Sequence, residues 1–230
     1  MGRTTESRRR PTRVVGLDLA GSPKRDTGAC RFSGLHRIQA TVLHSDPEIL
    51  DFMENAEPEL VVIDAPLSIP HGRRTIEDRS GPHLRACDRE LLRRKLPFFP
   101  ITLGPMRMLT ARGMQLAAEL TARGFSVVEG YPGGAQDLLG IPRKSAGVSR
   151  LQRALRSRGL GGELARRALT HDELDAVTLG WVGWDFRHGR GELIGDPTEG
   201  LMLLPIPRRA ASHDARSRRI RPPKRSIRRS

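Results

Sequence analysis

Three apolar runs break an otherwise polar chain, and each stops at an acid: Val14-Val15-Gly16-Leu17 before Asp18, Leu60-Val61-Val62-Ile63 before Asp64, and Phe125-Ser126-Val127-Val128 before Glu129. Such runs are too short for helices and lack the polar alternation of a half-exposed sheet, so they predict strands covered on both faces. Residues 27–33 and 36–43 predict two further strands, joined by a turn at Gly34, which together with the first make a meander. Ile49, Leu50 and Met53 fall at helical spacing within 47–55. Further helices are expected over 83–96, closed by Pro97, and over 106–123, ended by Gly124, with short ones over 135–139 and 148–157. Residues 199–204 predict a final edge strand.

The last helix is the most legible. Thr170-His171-Asp172-Glu173 forms a capping box, so a helix starts near His171 and runs to about Arg187. On it Asp172, Asp175, Leu179, Val182 and Phe186 share one face, which sets two carboxylates along an apolar stripe turned toward the sheet.

Charge divides the chain. Of the net +14, residues 1–13 carry +4 and residues 208–230 carry +9, which leaves the middle at +1. A near-neutral domain over 13–206 is therefore expected between a basic arm, 1–12, and a basic tail, 207–230. Both ends are rich in Arg, Ser and Pro and too poor in apolar residues to fold alone, so disorder is expected there. Basic arms attract polyanions, nucleic acid first and anionic membrane second, and taken alone they read equally as solvating tails. No apolar run approaches the roughly 20 residues of a membrane span, and residues 1–12 lack the apolar core of a signal peptide. Cys30 and Cys87 make neither a disulfide framework nor a zinc site, which fits a reducing cytoplasm.

A carboxylate inside an apolar strand persists only if it is paired, hydrogen-bonded or bound to a cation. Asp18 and Asp64 end apolar strands, and Asp172 and Asp175 lie on the inward face of the last helix. If the strands are neighbours and the helix covers them, the four acids converge. Clustered carboxylates raise one another's pKa unless a divalent cation resolves the repulsion, and oxygen-only ligation suits Mg²⁺ or Mn²⁺. Nothing cationic in the sequence is placed beside all four. Taken singly, each acid also reads as a buried Asp capping a turn. Arg85, Arg89 and Arg93 recur at i, i+4 and i+8 of an expected helix, about 6 Å apart, as either a solvated face or a phosphate-tracking one.

The order of these elements resembles the ribonuclease-H-like fold, an α/β arrangement with a mixed five-stranded sheet flanked by helices and carrying a helical insertion. The combination of Gly16-Leu17-Asp18, Val62-Ile63-Asp64 and Asp172-Glu173-Leu174-Asp175-Ala176 is similar to that of Holliday-junction resolvases. A nearer resemblance is to the ribonuclease-H-like nucleases filed as domain of unknown function 429. It rests on Gly-Leu-Asp-Leu-Ala-Gly-Ser-Pro-Lys at 16–24, Ile63-Asp64-Ala65-Pro66-Leu67, Arg85-Ala86-Cys87-Asp88-Arg89, Glu129-Gly130-Tyr131-Pro132 and His171-Asp172-Glu173-Leu174-Asp175-Ala176, and it spans residues 13–205.

The resemblance implies a Mg²⁺- or Mn²⁺-dependent nuclease whose catalytic and metal-binding acids are Asp18, Asp64, Asp172 and Asp175. The fourth-strand acid is often Glu in the resolvases and is the shorter Asp64 here, which leaves Glu129 as the spare acid for coordination. Hydrolysis of a phosphodiester would then use two ions about 4 Å apart, with Lys24, Arg25, Arg85 and Arg89 holding phosphates. Two other readings stand beside it. One is a phosphotransferase of the actin-like group, with a glycine-rich hairpin at 18–28. The other is a non-catalytic nucleic-acid-binding module, although six Phe, two Trp and one Tyr are few for a single-strand stacking surface. DNA or RNA, and a monomer or a homodimer, are left open.

Overall fold

The computed structural model describes residues 12–207. The arm expected over 1–12 and the tail expected over 207–230 lie, but for one residue each, outside the described residues. Strands β1 (Val14–Asp18), β2 (Thr27–Phe32) and β3 (Ile38–Leu43) form an antiparallel meander. Helix α1 (Asp46–Ala56) then carries the chain to β4 (Leu60–Ile63), which pairs parallel with β1. After a long loop come α2 (Ala86–Arg93) and α3 (Gly104–Ala122), and β5 (Val127–Gly130) adds in parallel to β4. Helices α4 (Pro132–Leu139), α5 (Val148–Ser157), the single turn α6 (Glu163–Arg166) and the long α7 (His171–Arg187) follow. Strands β6 (Gly191–Asp196) and β7 (Gly200–Pro205) close the sheet as a hairpin.

The sheet has seven strands in the order β3-β2-β1-β4-β5-β7-β6, not the five expected. Its first five have the element order that the ribonuclease-H-like resemblance implies. The addition is physical. Residues 191–196 hold only two adjacent apolar side chains between glycines, Leu193 exposed and Ile194 buried, so no periodicity marks them as a strand. With β6 outermost, β7 is an inner strand, parallel to β5, and not the edge strand expected.

The alternation within β1 and β4 feeds two cores. Val14 and Val62 join Leu174, Val177 and Leu179 of α7 on one side. Val15, Leu17, Val61 and Ile63 join Ile49 and Met53 of α1 and Leu116 and Leu120 of α3 on the other. This is why the strands read as unbroken apolar runs.

The capping box forms as expected: the Glu173 N–H donates to Thr170 Oγ1 and the Thr170 N–H to the Glu173 carboxylate, at 3.2 and 2.8 Å. Beyond it, α7 is buried nearly all round from Glu173 to Gly183, because α4 and α5 cover the side away from the sheet. A single inward stripe is therefore too simple a description of it. Helix α2 is shorter than expected. Arg85 is its N-cap and not a member of a helical row, and the chain leaves the helix through Lys95 in the left-handed region (φ 59°) before Pro97 is reached.

Two glycines decide how closely α7 sits. A Cβ on Gly16 would stand 2.1 Å from the Ala176 carbonyl oxygen, and one on Gly28 would stand 2.1 Å from that of Asp172. Both contacts are with helix backbone, so any side chain at either position would lift the helix from the strands. The N-terminal half of α7 is thus seated directly on β1 and β2.

Candidate active site

The C-terminal ends of β1 and β4 lie side by side, held level by the Asp64 N–H, which donates to the Leu17 carbonyl at 2.8 Å. Asp18 is the last residue of β1, and Asp64 is the first after β4. Gly28 is the register partner of Asp18 and lies beneath the Asp172 carbonyl, so the first turn of α7 comes down beside Asp18. Asp175, one turn further, is buried. Its Oδ1 accepts from Gln136 Nε2 of α4 at 2.7 Å.

These acids share a cation that the sequence did not reveal. Lys144 starts a single 3₁₀ turn, Lys144–Ala146, between α4 and α5. Its Nζ stands 2.7 Å from Asp175 Oδ2 and 3.7 Å from Asp18 Oδ2. The sequence offered no cation beside all four acids, and Lys144 stands beside two of them, Asp18 and Asp175. No local signal could have found Lys144, since it lies in a Pro-Arg-Lys-Ser segment with no periodicity and is brought in by the packing of α4 and α5.

The electrostatics are those of a partly neutralised cluster. Burial, then the charges of Asp64 and Asp175, push Asp18 well above the ordinary carboxylate range, while Lys144 opposes them. Burial and the charge of Asp175 push Asp64 up to about 7, against Lys144 and a hydrogen bond from Asp18. Burial pulls the Lys144 ammonium down, but the charges of Asp18 and Asp175 outweigh it and hold it above its ordinary value. Even so, Asp18 Oδ2 is buried with no hydrogen-bond partner among the described residues. Asp172 stands apart from the ammonium, with Oδ1 2.7 Å from His171 Nδ1. It lines a second, polar cavity with Asp18, Arg25 and Asp26.

The remaining expected residues are placed differently. Glu129 is not free for a metal: its carboxylate accepts from Arg85 at 2.6 and 2.8 Å and from the Leu67 N–H at 2.9 Å. Arg85 is not available to a phosphate. It is 2% exposed, and its guanidinium donates to Glu129, to both oxygens of Asp88 and to Ser68 Oγ, which uses every N–H it has. These assignments are corrected by burial, because an arginine enclosed with two carboxylates is a structural tie. Arg89 is exposed on α2 and donates to the Leu84 carbonyl at 2.9 Å. Lys24 and Arg25 are exposed in the turn after β1.

The tie also orders the loop that follows Asp64. Glu199, in the β6–β7 turn, accepts from the backbone N–H of His71 at 2.7 Å and from that of Ala86. Arg73 donates to the carbonyls of Asp78, Gly81 and Pro82 at 2.6, 3.3 and 2.9 Å. Asp64 thus leaves the sheet into a fastened segment.

Whether the acids fit a divalent cation can be tested on the donors themselves. They are hard carboxylate oxygens, and one buried oxygen lacks a partner, as a ligand atom without its ion would. Among the described residues, no group of three or more His, Cys, Asp or Glu is set around one ion position. The Lys144 ammonium stands between Asp18 and Asp175. The donor chemistry fits, provided that Lys144 gives way.

The sequence profile of the family described as protein of unknown function (DUF429) matches residues 16–200. No curated protein matches significantly. Among solved structures, the yeast mitochondrial Holliday junction resolvase is similar at a TM-score of 0.41 and 12% identity, over 77% of this chain and 80% of that one. Among the described residues no helix is long and apolar enough to cross a membrane.

Proposed function

We propose that this chain, which belongs to the DUF429 family, is a nuclease that hydrolyses phosphodiester bonds of nucleic acid with the help of Mg²⁺ or Mn²⁺. The observation that carries the reading is that Asp18 and Asp175 share one cationic position, taken by Lys144 Nζ at 2.7 Å from Asp175 and 3.7 Å from Asp18, with Asp64 at the end of the strand beside Asp18. A cluster that holds an ammonium between buried carboxylates has the charge and the donor atoms to hold a metal.

Asp18, Asp64 and Asp175 would hold the metal, with Asp172 on the open side of Asp18. Two such ions would supply activation of a water and stabilisation of the leaving 3′ oxygen. The chain's own residues do the rest. Gln136 fixes the Asp175 carboxylate by its hydrogen bond to Oδ1. Lys144, once displaced, remains at the rim as a counter-charge for a phosphate, and Arg25 offers another beside Asp18 and Asp172. Asp18 and Asp64, which hold protons more tightly than ordinary carboxylates do, release them as they become ligands, so cation uptake liberates protons.

The Lys144–Asp175 pair equally suits a non-catalytic nucleic-acid-binding module whose acids are permanently neutralised. Cleavage assays on single strands, duplexes, branched junctions and RNA–DNA hybrids, with either metal, separate the two. Asp18→Asn and Asp175→Asn should each lower metal-dependent cleavage by orders of magnitude, while Tm of Asp18→Asn stays level or rises as carboxylate repulsion is relieved and that of Asp175→Asn falls with the loss of its ion pair to Lys144. Full cleavage by Asp18→Asn, or no metal-dependent cleavage by the parent on any substrate, would falsify the nuclease reading and leave the binding module.

A further inference from the structure

Beside the acids, a cavity of about 520 Å³ opens into the protein. Asp64, Asp175 and Lys144 line it together with Phe98, Phe99, Met106 and Leu109. Its surface is mainly apolar, and the chemistry proposed above uses its Asp64, Gln136, Lys144 and Asp175 but none of its aromatic lining. Three of the nine aromatic residues of the chain, Phe98, Phe99 and Tyr131, line this one space. The scarcity of aromatics that argued against a stacking surface is therefore a matter of concentration, not of absence.

The aromatic surface is built in. Tyr131 follows β5 directly, and its ring lies against Gly134, where a Cβ would come within 2.5 Å of it. Its hydroxyl donates to the Pro97 carbonyl, which also fixes the segment carrying Phe98 and Phe99. The Arg143 guanidinium lies 5.7 Å from the Tyr131 ring centroid and is held by Asp137 at 2.9 and 2.6 Å. Phe99 lines the cavity and, among the described residues, is 70% exposed.

From these observations we infer that the cavity receives the unpaired base of the nucleotide whose phosphate lies at the acids. The inference rests on the nuclease reading and narrows its substrate class. Asp64 and Asp175 line the cavity themselves, so a phosphate bound at them carries its own nucleoside to it. Arg143 and Lys144 provide positive charge where the backbone would pass. The volume falls within the roughly 300–1,000 Å³ typical of small-ligand sites, enough for one nucleoside, and the lining combines aromatic faces with a few polar groups, as base recognition requires. A stacked, paired base cannot enter. The substrate is thus a strand with an unpaired nucleotide at the linkage: a bulge, a gap, a flap or a single strand.

The test is binding to the full chain in EDTA, read by fluorescence anisotropy without cleavage. The ligands are a paired duplex, the same duplex with a one-nucleotide bulge, the bulge made abasic, and a free nucleoside monophosphate as competitor. Stacking of one base is worth about 1–3 kcal/mol, so the bulge should bind at least about fivefold more tightly than the duplex, and the abasic bulge should lose that preference. Phe99→Ala removes an exposed ring with no core role, and Met106→Trp fills the cavity. Each should bring the bulge-to-duplex ratio toward one. Equal binding of bulge and abasic bulge, or an unchanged ratio in both variants, overturns the inference and leaves the nuclease reading standing. Binding of the mononucleotide without any preference for the bulge overturns it in favour of a small-molecule substrate. Absence of binding to every nucleic acid in EDTA overturns the inference and leaves the nuclease reading to the cleavage assays with metal.

Discussion

Asp18 and Asp64 make the metal-free protein sensitive to pH in a defined direction. Their pKa values are raised in the folded state, Asp64 from its ordinary 3.8 to about 7. Below about 4 both groups are protonated whether the chain is folded or not, so they are neutral in their effect. As pH rises from about 4 to about 7 the unfolded chain gives up protons that the folded one keeps, and stability falls. In EDTA, Tm should therefore be lower at pH 8 than at pH 5, and Asp64→Asn should flatten that slope. An equally steep slope in the variant would show that other groups are responsible. Lys144 gives the second expectation at this scale. Lys144→Met leaves the acids without their ammonium, so the metal-free protein should melt lower at pH 8. Mn²⁺ should then bind on the order of tenfold more tightly, about 1.4 kcal/mol, because it no longer displaces a charge. Calorimetric titration checks this, and weaker Mn²⁺ binding in Lys144→Met would make the lysine a support of the site and not its competitor. The acids were legible in the sequence because a carboxylate inside an apolar run has few explanations. Lys144, whose place depends on α4 and α5, was not.

At the scale of elements, the approach of α7 to β1 and β2 is what brings helix acids to strand acids. Gly28→Ala puts a methyl group within 2.1 Å of the Asp172 carbonyl oxygen and 2.3 Å of its carbon, atoms that cannot rotate away. Overpacking of this kind costs about 1–3 kcal/mol. For a domain of this size that is a fall in Tm of roughly 2–12 °C. Because the shift lands on the first turn of α7, the stabilisation conferred by Mn²⁺ should shrink as well. A Gly28→Ala protein with the parent's Tm and Mn²⁺ response would mean that the helix yields freely. Strands β1 to β5 and α7 were legible because unbroken apolar runs and a capping box are local signals. Strand β6 was not, because its pairing with β7 supplies what its own residues lack. The arginine row misled for a related reason. Spacing identified Arg85, Arg89 and Arg93 as one face, but whether an arginine faces solvent or is enclosed with Glu129 and Asp88 depends on chain from elsewhere in the sequence.

For the molecule as a whole, charge and site are carried by different parts of the chain. Residues 208–230 hold +9 of the net +14 and lie outside the described residues, whereas the candidate site belongs to a near-neutral body. We expect deletion of 208–230 to weaken binding to all nucleic acids alike and to flatten its salt dependence, since dense charge without a reader of base edges adds affinity and not preference. Binding of the shortened chain should be followed across salt concentrations on several sequences, and a changed sequence preference would assign the tail a part in recognition. The bonds of Glu199 carry a further consequence. They join it to the backbone of His71 and Ala86, 128 and 113 residues earlier in the chain. The loop that leaves Asp64 is closed only when the β6–β7 turn arrives, and Asp175 itself comes late in the sequence. On a ribosome, then, Asp18 and Asp64 emerge long before their partners, and a charged pair of strand ends waits through most of synthesis. Contacts of such long range form slowly, so the candidate site is among the last parts of the molecule to exist.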